Sequence, residues 1–266
     1  MDKCSVLVLS CDKNLNLLKF FFEMFNENWF DCPFEIFVSL ESETFKFGKN
    51  IQTLNYTFNK NWSQRIKDCL KQIHTPYVLI ILDDFIIEDK VDTKEILALV
   101  NRISEDSNIA NIILSEINCK TSLNKFLMNK YILHNRYSRY KTSLQLGIWK
   151  KDVLFKLLKN KENAWEFEIF SNIRSFVLKE EFYSIINNQN KPIKYNDGFF
   201  IVQGKINTNE RKRLEKEIKR SINLIDYQET GENLIRDDIN LLKRIIRRVK
   251  IILYYTYYNI RSKFVI

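Results

Sequence analysis

The chain has 266 residues, of which 45% are hydrophobic and 28% are charged. This balance is typical of a globular protein, and the length allows one large α/β domain with an appendage or two small domains. Only five glycines and three prolines occur, which excludes collagenous and low-complexity architectures. The glycine-rich phosphate loops of dinucleotide-binding and P-loop proteins are absent from the sequence.

The formal net charge of +9 is concentrated at the end of the chain. Residues 241–266 contain no acidic side chain, and seven basic ones: Lys243, Arg244, Arg247, Arg248, Lys250, Arg261 and Lys263. The remaining 240 residues therefore carry 9 − 7 = +2. Because a nucleic-acid-binding domain spreads positive charge over a folded face, this distribution favours a local basic segment and no nucleic-acid partner.

The five scattered cysteines form no C-x-x-C pair, which favours a reducing compartment over a disulfide framework. No stretch approaches the ~18–20 apolar residues of a membrane span, and the start of the chain lacks the pattern of a signal peptide. We therefore expect a cytoplasmic protein.

In the first half of the chain, short apolar runs alternate with helical patterns, which predicts βαβ units around a mostly parallel sheet. The predicted strands are 5–10, 34–39, 51–58, 77–82 and 111–114. The predicted helices are 14–26, 62–74 and 93–104. Residues 77–82 (YVLIIL) are the most apolar strand, as expected at the centre of the sheet.

In the second half, residues 119–140 form an irregular polar and aromatic segment, which predicts loops or a small hairpin. We predict strands at 143–149, 181–187 and 191–196, helices at 151–159 and 165–178, and turns at 198–204. From residue 208 onward the chain is charged and helical. The predicted division is a domain of residues 1–205 followed by a helical C-terminal extension of residues 206–266.

The most informative motif is the acidic pair Asp83-Asp84, directly after the predicted strand 77–82. The pair should lie at the carboxyl edge of the sheet, where α/β proteins bind ligands. Two like charges there need a cation or a donor-rich partner, and a divalent metal that bridges a diphosphate meets this need. The alternative is an Asp-containing turn that caps the strand.

Three further residues point to the same edge. Arg65 lies in the first turn of helix 62–74, where a helix N-terminus and a guanidinium can bind phosphate together. Ser10 and Asp12 follow the first strand, and Asp12 can accept hydrogen bonds from a ribose or a base. Asp12 could equally cap the helix near Asn14, and Arg65 could be an ordinary solvated side chain.

Downstream, Gly147 lies in strand 143–149, where the missing side chain permits a close approach of a ligand. Glu166 and Glu168 open the helix at 165–178, and the helix dipole favours their ionised form. An ionised carboxylate near an acceptor hydroxyl is what a general base requires. Glutamate in a first helical turn is also simply a good helix former.

Taken together, these motifs resemble the GT-A fold glycosyltransferases, and most closely the bacterial enzymes that build capsular and lipopolysaccharide glycans. The resemblance covers about residues 4–200. It implies an α/β fold of the GT-A type: a Rossmann-like, mostly parallel sheet flanked by helices. The chain adds a basic amphipathic helical extension at its C-terminus.

The resemblance also implies a function. Asp83 and Asp84 would bind Mn²⁺ or Mg²⁺ together with the donor diphosphate, with Ser10, Asp12 and Arg65 completing the site for a nucleotide-sugar, a UDP-sugar in our expectation. Glu168, or Glu166, would be the base of an inverting hexosyl transfer. The sequence departs from the family pattern where Asp83-Asp84-Phe85 replaces D-x-D and Glu-Phe-Glu replaces the usual Glu-Asp pair.

The C-terminal segment predicts a partner of its own. Apolar residues from Leu241 to Thr256 recur at i, i+3, i+4 and i+7, and basic residues project largely from the other side. Such a helix can lie in the headgroup layer of an anionic membrane. We expect residues 241–266 to hold the enzyme at the inner face of the cell membrane, near a glycan or lipid-linked glycan acceptor. The alternative is a helix that packs on the catalytic domain.

Two other classes of function remain open. A sugar nucleotidyltransferase shares the nucleotide-binding sheet, although the segment Ser10-Cys-Asp-Lys-Asn14 lacks the glycine-rich loop of those enzymes. A non-catalytic basic protein that binds nucleic acid or membrane would also fit the sequence pI of about 9.1.

Overall fold

The structure is a computed structural model of the whole chain. It describes residues 3–48, 51–56, 60–117, 126–196, 200–202, 204–224, 227–230 and 241–262, and for residues 230, 241–248 and 262 it describes the backbone only. The predicted residues that fall outside these ranges, among them Cys119, Lys263 and the side chains of Lys243, Arg244, Arg247 and Arg248, lie outside the description.

The helices and strands alternate as predicted in the first half of the chain. The strands are β1 (Cys4–Leu9), β2 (Glu35–Leu40), β3 (Ile51–Asn55), β4 (Tyr77–Leu82), β5 (Ile109–Glu116), β6 (Phe126–Leu127), β7 (Tyr131–Leu133), β8 (Gly147–Lys150), β9 (Glu181–Ile185), β10 (Ile201–Val202), β11 (Lys205–Asn207) and β12 (Glu229–Thr230). The helices are α1 (Leu15–Asn28), α2 (Trp62–Gln72), α3 (Thr93–Glu105), α4 (Lys151–Leu157), α5 (Ala164–Arg174), α6 (Thr208–Ile218) and α7 (Leu241–Ser262).

Nine strands form one sheet in the order β3-β2-β1-β4-β8-β5-β9-β7-β6. β1 pairs in parallel with β2 and β4, and β2 pairs in parallel with β3. β8 and β7 are antiparallel to the strands on either side of them. The sheet is therefore mixed and mostly parallel, and the carboxyl ends of β1, β2 and β4 lie side by side at one edge.

Both faces of the sheet are buried, as the near-continuous apolar strands predict. Successive residues of a strand point to opposite faces, so Val6 and Val8 of β1 pack with α1 and α3 on one side. Leu7 and Leu9 pack with α2, α4 and α5 on the other side.

In the second half of the chain, the structure agrees with one prediction and contradicts another. The irregular segment contains the short hairpin β6–β7, as expected for part of residues 119–140. Residues 191–196 do not form the predicted strand, because only one isolated bridge joins Tyr195 to Ile87. The preceding turn at Asn188–Asn190 is a single turn of 3-10 helix.

Several described residues beyond residue 205 pack on the same core as the sheet. Ile206, Leu214, Ile222 and Leu224 are buried in the same core cluster as α1 and the sheet. A second small sheet, in the order β10-β11-β12, spans the predicted division at residue 205. The domain boundary itself stays a prediction.

The last helix, α7, lies against α5 and the one-turn helix Ser175–Val177. Ile251, Tyr254 and Tyr258 pack on a small cluster of Phe170, Ile173 and Phe176. Within the described residues, no helix has both the length and the apolar content needed to cross a bilayer.

Candidate functional site

The acidic pair lies where the sequence predicts it, directly after β4. Asp83 is 7% exposed, and its Oδ2 accepts hydrogen bonds from Ser10 Oγ at 2.6 Å and Asn14 Nδ2 at 2.8 Å. Burial raises the pKa of Asp83 in spite of these two donors. Asp83 therefore ties the end of β4 to the segment that follows β1.

Asp84 has a different environment. Its side chain is partly exposed, and among the described residues no other side chain donates a hydrogen bond to its carboxylate. Burial, and then the neighbouring charge of Asp83, raise its pKa to about 8. Asn196 binds the backbone of the turn and not the Asp84 carboxylate: its Nδ2 donates to the Asp84 backbone carbonyl at 2.9 Å. Asp84 is thus the member of the pair that is open to a ligand.

Asp12 organises the loop that follows β2. Its carboxylate accepts hydrogen bonds from the backbone N–H of Glu41 at 2.9 Å and from the Ser42 Oγ at 2.7 Å. Burial alone would raise the pKa of Asp12, but these bonds outweigh it and lower the pKa. Asp12 heads a short 3-10 turn, Asp12–Asn14, without a side-chain cap at its N-terminus.

Arg65 joins the same loop from α2. The helix begins at Trp62 under a capping box formed by Asn61 and Gln64, which fixes the direction of its first turn. Arg65 Nη1 donates to Glu41 Oε1 at 2.5 Å and to the Tyr56 hydroxyl at 3.0 Å. The guanidinium lies 5.1 Å from the Tyr56 ring centroid.

Glu41 connects these residues, and the sequence did not single it out. Its second oxygen, Oε2, accepts the backbone N–H of Asp12 at 2.5 Å. The local field is negative: burial first, and then the carboxylates of Asp83 and Glu41, raise the pKa of the Cys11 thiol to about 11. The only signal for Glu41 in the sequence was its position as an acidic residue just after a predicted strand.

Asn14 is a second site residue, which the sequence indicates only as the start of a helix. Its amide donates to Asp83, and its Oδ1 accepts the Tyr227 hydroxyl at 2.6 Å. A residue beyond the predicted domain boundary therefore helps to hold the acidic pair. No local pattern could reveal this contact, because 213 residues separate its two partners.

The two predicted bases have separate environments. Glu166 closes the capping box of α5 with Asn163 and lies 3.6 Å from the Lys250 ammonium of α7. Glu168 is half-buried, and its Oε1 accepts the backbone N–H of Leu144 at 2.7 Å. Burial raises the pKa of Glu168, partly offset by this bond. Glu166 serves the helix start and its contact with α7, whereas Glu168 faces the segment before β8.

A chain of contacts links Glu168 to the acidic pair. The Phe85 ring stacks on Tyr195 with centroids 4.8 Å apart. The Tyr195 hydroxyl donates to Gln145 Oε1 at 3.0 Å, and Gln145 follows the residue whose N–H binds Glu168. The structure therefore brings the 144–145 segment, Glu168 and the turn after β4 into one region.

Gly147 has a structural role that differs from our expectation. A Cβ at this position would lie 3.0 Å from the Ile112 carbonyl oxygen and 3.2 Å from the Asn111 Oδ1. The close approach that glycine permits is that of β5, because β8 is inserted between β4 and β5. The glycine is thus accounted for by strand packing, and a ligand against this strand stays a prediction.

The carboxylate oxygens of the acidic pair are ligands that suit Mg²⁺ or Mn²⁺. The Asp84 carboxylate and one oxygen of Asp83 are hard oxygen ligands beside a negative local field, with no described side chain balancing Asp84. The described residues contain no cluster of three or more His, Cys, Asp or Glu side chains suited to a metal. Such a cluster is not required, since magnesium is commonly held by one or two carboxylates together with substrate phosphates and water.

α7 presents an exposed apolar stripe on the side away from α5. Its residues recur at i, i+3, i+4, i+8 and i+11 and are about half exposed or more: Val249, Ile252, Leu253, Tyr257 and Ile260. The Lys250 ammonium instead points toward the protein, 4.7 Å from the Phe170 ring. The helix thus packs on the domain with one side and leaves another side free of described contacts with the core.

No protein-family model matches the chain, and no curated protein gives a significant match. Solved structures do match it in fold. The fragment 1–349 of S. aureus TarS in complex with UDP has a TM-score of 0.50 at 13% identity, over 82% of this chain and 64% of that chain. The chain therefore spans just under two thirds of this neighbour.

Two more distant matches were found. The mannosyltransferase PcManGT from Pyrobaculum calidifontis, in complex with GDP-Man and Mn²⁺, has a TM-score of 0.43 at 11% identity, over 70% of this chain and 54% of that chain. A cytidylyltransferase from Leptospira borgpetersenii has a TM-score of 0.44 at 11% identity, over 88% of this chain and all of that chain. The likeness to TarS, together with the sheet described above, confirms the predicted GT-A fold class. It is a likeness of fold, and function has to be argued from the site.

Proposed function

We propose that this chain is an inverting glycosyltransferase that moves a sugar from a UDP-sugar to a hydroxyl group of a lipid-linked or surface-polysaccharide acceptor. The observation that carries the proposal is the Asp83-Asp84 pair at the carboxyl edge of β4. Asp83 is held by Ser10 and Asn14, which leaves Asp84 available to a ligand. The fold supports the proposal because open α/β sheets bind nucleotides at this edge.

The donor would lie across the ends of β1, β2 and β4. Asp84 and Asp83 would hold a divalent cation, which supplies a positive charge that stabilises the departing diphosphate. Arg65 and Asp12 organise the loop after β2 through Glu41. In the proposed site these residues shape the pocket for the base and ribose, and the Arg65–Glu41 pair keeps the guanidinium at its rim.

Glu168 would act as the base. Its carboxylate takes the proton of the acceptor hydroxyl while that oxygen forms a bond to the anomeric carbon of the donor sugar. The bond from the anomeric carbon to the diphosphate breaks, and its electron pair leaves with the nucleoside diphosphate. The Leu144 N–H holds one carboxylate oxygen in place, which leaves the other oxygen for the hydroxyl. Glu166 takes no part in this step, because its carboxylate closes the capping box of α5 and pairs with the Lys250 ammonium.

A thermal-shift screen tests the donor site. UDP, GDP, CMP and dTDP are added with and without Mn²⁺, and we expect UDP with Mn²⁺ to stabilise the protein most. At a hundredfold excess over the Kd the gain is about 2.7 kcal/mol, or roughly 5–10 °C in Tm for a chain of this size.

The Asp84→Ala variant should lose this shift, while Asp89→Ala should keep it, since Asp89 is an exposed carboxylate paired with Lys194. Glu168→Ala should keep the shift and lose turnover. Indifference of the wild-type protein to every nucleotide would refute the donor site. Stabilisation by a nucleoside triphosphate alone would favour the nucleotidyltransferase alternative.

We further propose that α7 docks on an anionic membrane surface, which places the enzyme at the inner face of the cell membrane. The exposed apolar stripe of α7 and the six basic residues of 241–266 other than Lys250 support this. Each basic residue near an anionic surface contributes about 1 kcal/mol. The packing of α7 on α5 is compatible with docking, because the two contacts use different sides of the helix.

Liposome co-sedimentation tests the membrane contact. Vesicles of phosphatidylcholine with phosphatidylglycerol should bind the protein, and vesicles of phosphatidylcholine alone should bind it much less. Leu253→Glu, within the stripe, should abolish binding. Leu97→Glu is the matched control, since Leu97 is an exposed leucine on α3. Equal binding of both variants would refute docking through α7.

A further inference from the structure

A cavity of about 400 Å³ lies between residues 137–140, α5 and α7. Glu168 and Asn172 of α5 form part of its wall, and Ile251 and Tyr255 of α7 form another part. The volume falls within the range of small-molecule sites. The C-terminal helix therefore completes a cavity that contains the proposed base.

The cavity is rich in accessible aromatic rings. Tyr137, Tyr140 and Tyr255 line it and are 42%, 54% and 46% exposed. Tyr255 is held edge-on against Phe176, with ring centroids 5.7 Å apart, and Tyr137 makes a second edge-on contact with the same ring, at 5.1 Å. Rings with an apolar body and a polar tip present stacking faces and hydroxyl groups together, which suits the faces and hydroxyls of a sugar.

Two charged side chains, one acidic and one basic, line the cavity. Glu168 has one oxygen bound to the Leu144 N–H, and no described residue forms a hydrogen bond or ion pair with its other oxygen. Arg139 is exposed and has no ion-pair partner within the described ranges. A carboxylate that can accept a hydroxyl proton and a planar guanidinium that can hold a phosphate bidentately are thus present in one cavity.

We infer that this cavity is the acceptor site, and that it binds a sugar carrying a phosphate linkage, with a hydroxyl toward Glu168 and the phosphate toward Arg139. The inference rests on the proposed function, which makes Glu168 the base. Arg139 supplies a positive charge at the cavity wall, with which a phosphate can pair and a neutral sugar cannot. Because α7 supplies both a wall of the cavity and the stripe proposed to contact the membrane, a glycosyl diphosphate on a lipid anchor reaches the site from the membrane side.

Binding of three probes tests the inference by titration calorimetry: methyl N-acetylglucosaminide, N-acetylglucosamine 1-phosphate, and N-acetylglucosamine linked through a diphosphate to a decyl chain. We expect both phosphate-bearing probes to bind more tightly than the neutral sugar. With phosphatidylglycerol vesicles present, the decyl probe should gain further affinity over the soluble phosphate, which distinguishes a lipid-anchored acceptor from a free sugar phosphate.

Matched variants locate the binding. Tyr255→Ala should raise the Kd of every probe about tenfold, as expected for the loss of one aromatic contact. For the two soluble probes, titrated without vesicles, Tyr257→Ala is the control, because Tyr257 is exposed on the same helix and does not line the cavity. Arg139→Gln should remove the preference for phosphate, roughly a ten- to hundredfold effect, and leave the neutral sugar unchanged.

A further variant avoids any effect on the packing of α7. Tyr140 has a left-handed backbone with a φ of 62°, a conformation that asparagine adopts readily, so Tyr140→Asn removes the ring without straining the loop. It too should weaken all the probes. The inference is overturned if the wild-type protein binds no probe, if Tyr255→Ala and Tyr257→Ala behave alike, or if Arg139→Gln keeps the phosphate preference.

Failure of the donor site gives a different result. The UDP-dependent thermal shift, measured on the same proteins, reports the acidic pair and not the cavity. Lost probe binding with an intact UDP shift overturns the cavity alone. Probe binding in a protein that no nucleotide stabilises overturns the proposed function alone, and Asp84→Ala should leave the Kd of every probe unchanged.

Discussion

Lys141 provides a test of the electrostatics beside the cavity. Its side chain is 3% exposed, its ammonium donates to the Arg136 carbonyl at 2.6 Å, and it lies 5.0 Å from the Phe182 ring centroid. Burial, and then the charge of Arg136, lower the pKa of Lys141 to about 7 from its ordinary value of 10.5. The Lys141→Met variant keeps the volume and removes the ionisable group.

The direction in which stability changes with pH follows from the pKa of Lys141 in the folded and in the unfolded chain. Below pH 7 both the folded and the unfolded chain carry the proton. Between pH 7 and pH 10.5 the unfolded chain binds one proton more, so the free energy of unfolding rises with pH. The slope is about 1.4 kcal/mol per pH unit, which gives roughly 2–3 kcal/mol between pH 7.5 and pH 9.5.

Urea unfolding followed by tryptophan fluorescence measures this difference. The wild-type protein should gain more stability from pH 7.5 to pH 9.5 than Lys141→Met does, by roughly 2–3 kcal/mol. Lys150→Met is the control, because the Lys150 ammonium also donates to a backbone carbonyl, at 2.9 Å, but at the surface. If Lys141→Met and the wild-type protein share one pH dependence, Lys141 is charged in the folded state and the reasoning is wrong.

Three further predictions concern the site and its support. Gly147→Ala should lower the free energy of unfolding by about 1–3 kcal/mol in urea titrations, since the new methyl group meets the Ile112 carbonyl; an unchanged midpoint would show that β5 can move away. Glu168→Gln should reduce turnover at least about a hundredfold. The acidic limb of the wild-type rate profile should lie above the ordinary glutamate pKa, because burial raises the pKa of Glu168, and a limb at that ordinary value would contradict this. Arg174→Met should destabilise the protein by about 3–5 kcal/mol, because Glu162, its buried bidentate partner at 2.6 and 2.8 Å, is left unpaired. The double variant with Glu162→Gln should recover part of that loss in calorimetry, and no recovery would argue against the pair.

The elements of the first half were predictable because their signals are local. The run at residues 77–82 is apolar at every position, and β4 has those bounds. Helix α2 begins at Trp62 as predicted, behind its capping box. The strand predicted at residues 191–196 did not form, because among the described residues the only bridge partner of the segment is Ile87, opposite Tyr195, and a bridge partner is a property of the fold.

The candidate site was predictable only in part. Asp83 and Asp84 follow a strand whose position in the sheet can be inferred, so their place at the edge could be predicted. Their different environments could not be, since Asp83 is tied by Ser10 and Asn14 from another strand end. Glu166 and Glu168 look equivalent in the sequence, and only the contacts with Lys250 and Leu144 separate them.

By itself the sequence determined the alternation of strands and helices, the acidic pair at a strand end, and the basic, amphipathic character of the last helix, because periodicity and charge are written along the chain. The tertiary structure decided which carboxylate is open to a ligand, that Gly147 accommodates β5, and that α7 closes a cavity beside Glu168. Those outcomes depend on contacts between residues far apart in the chain, and they form only when the sheet brings its strand ends together.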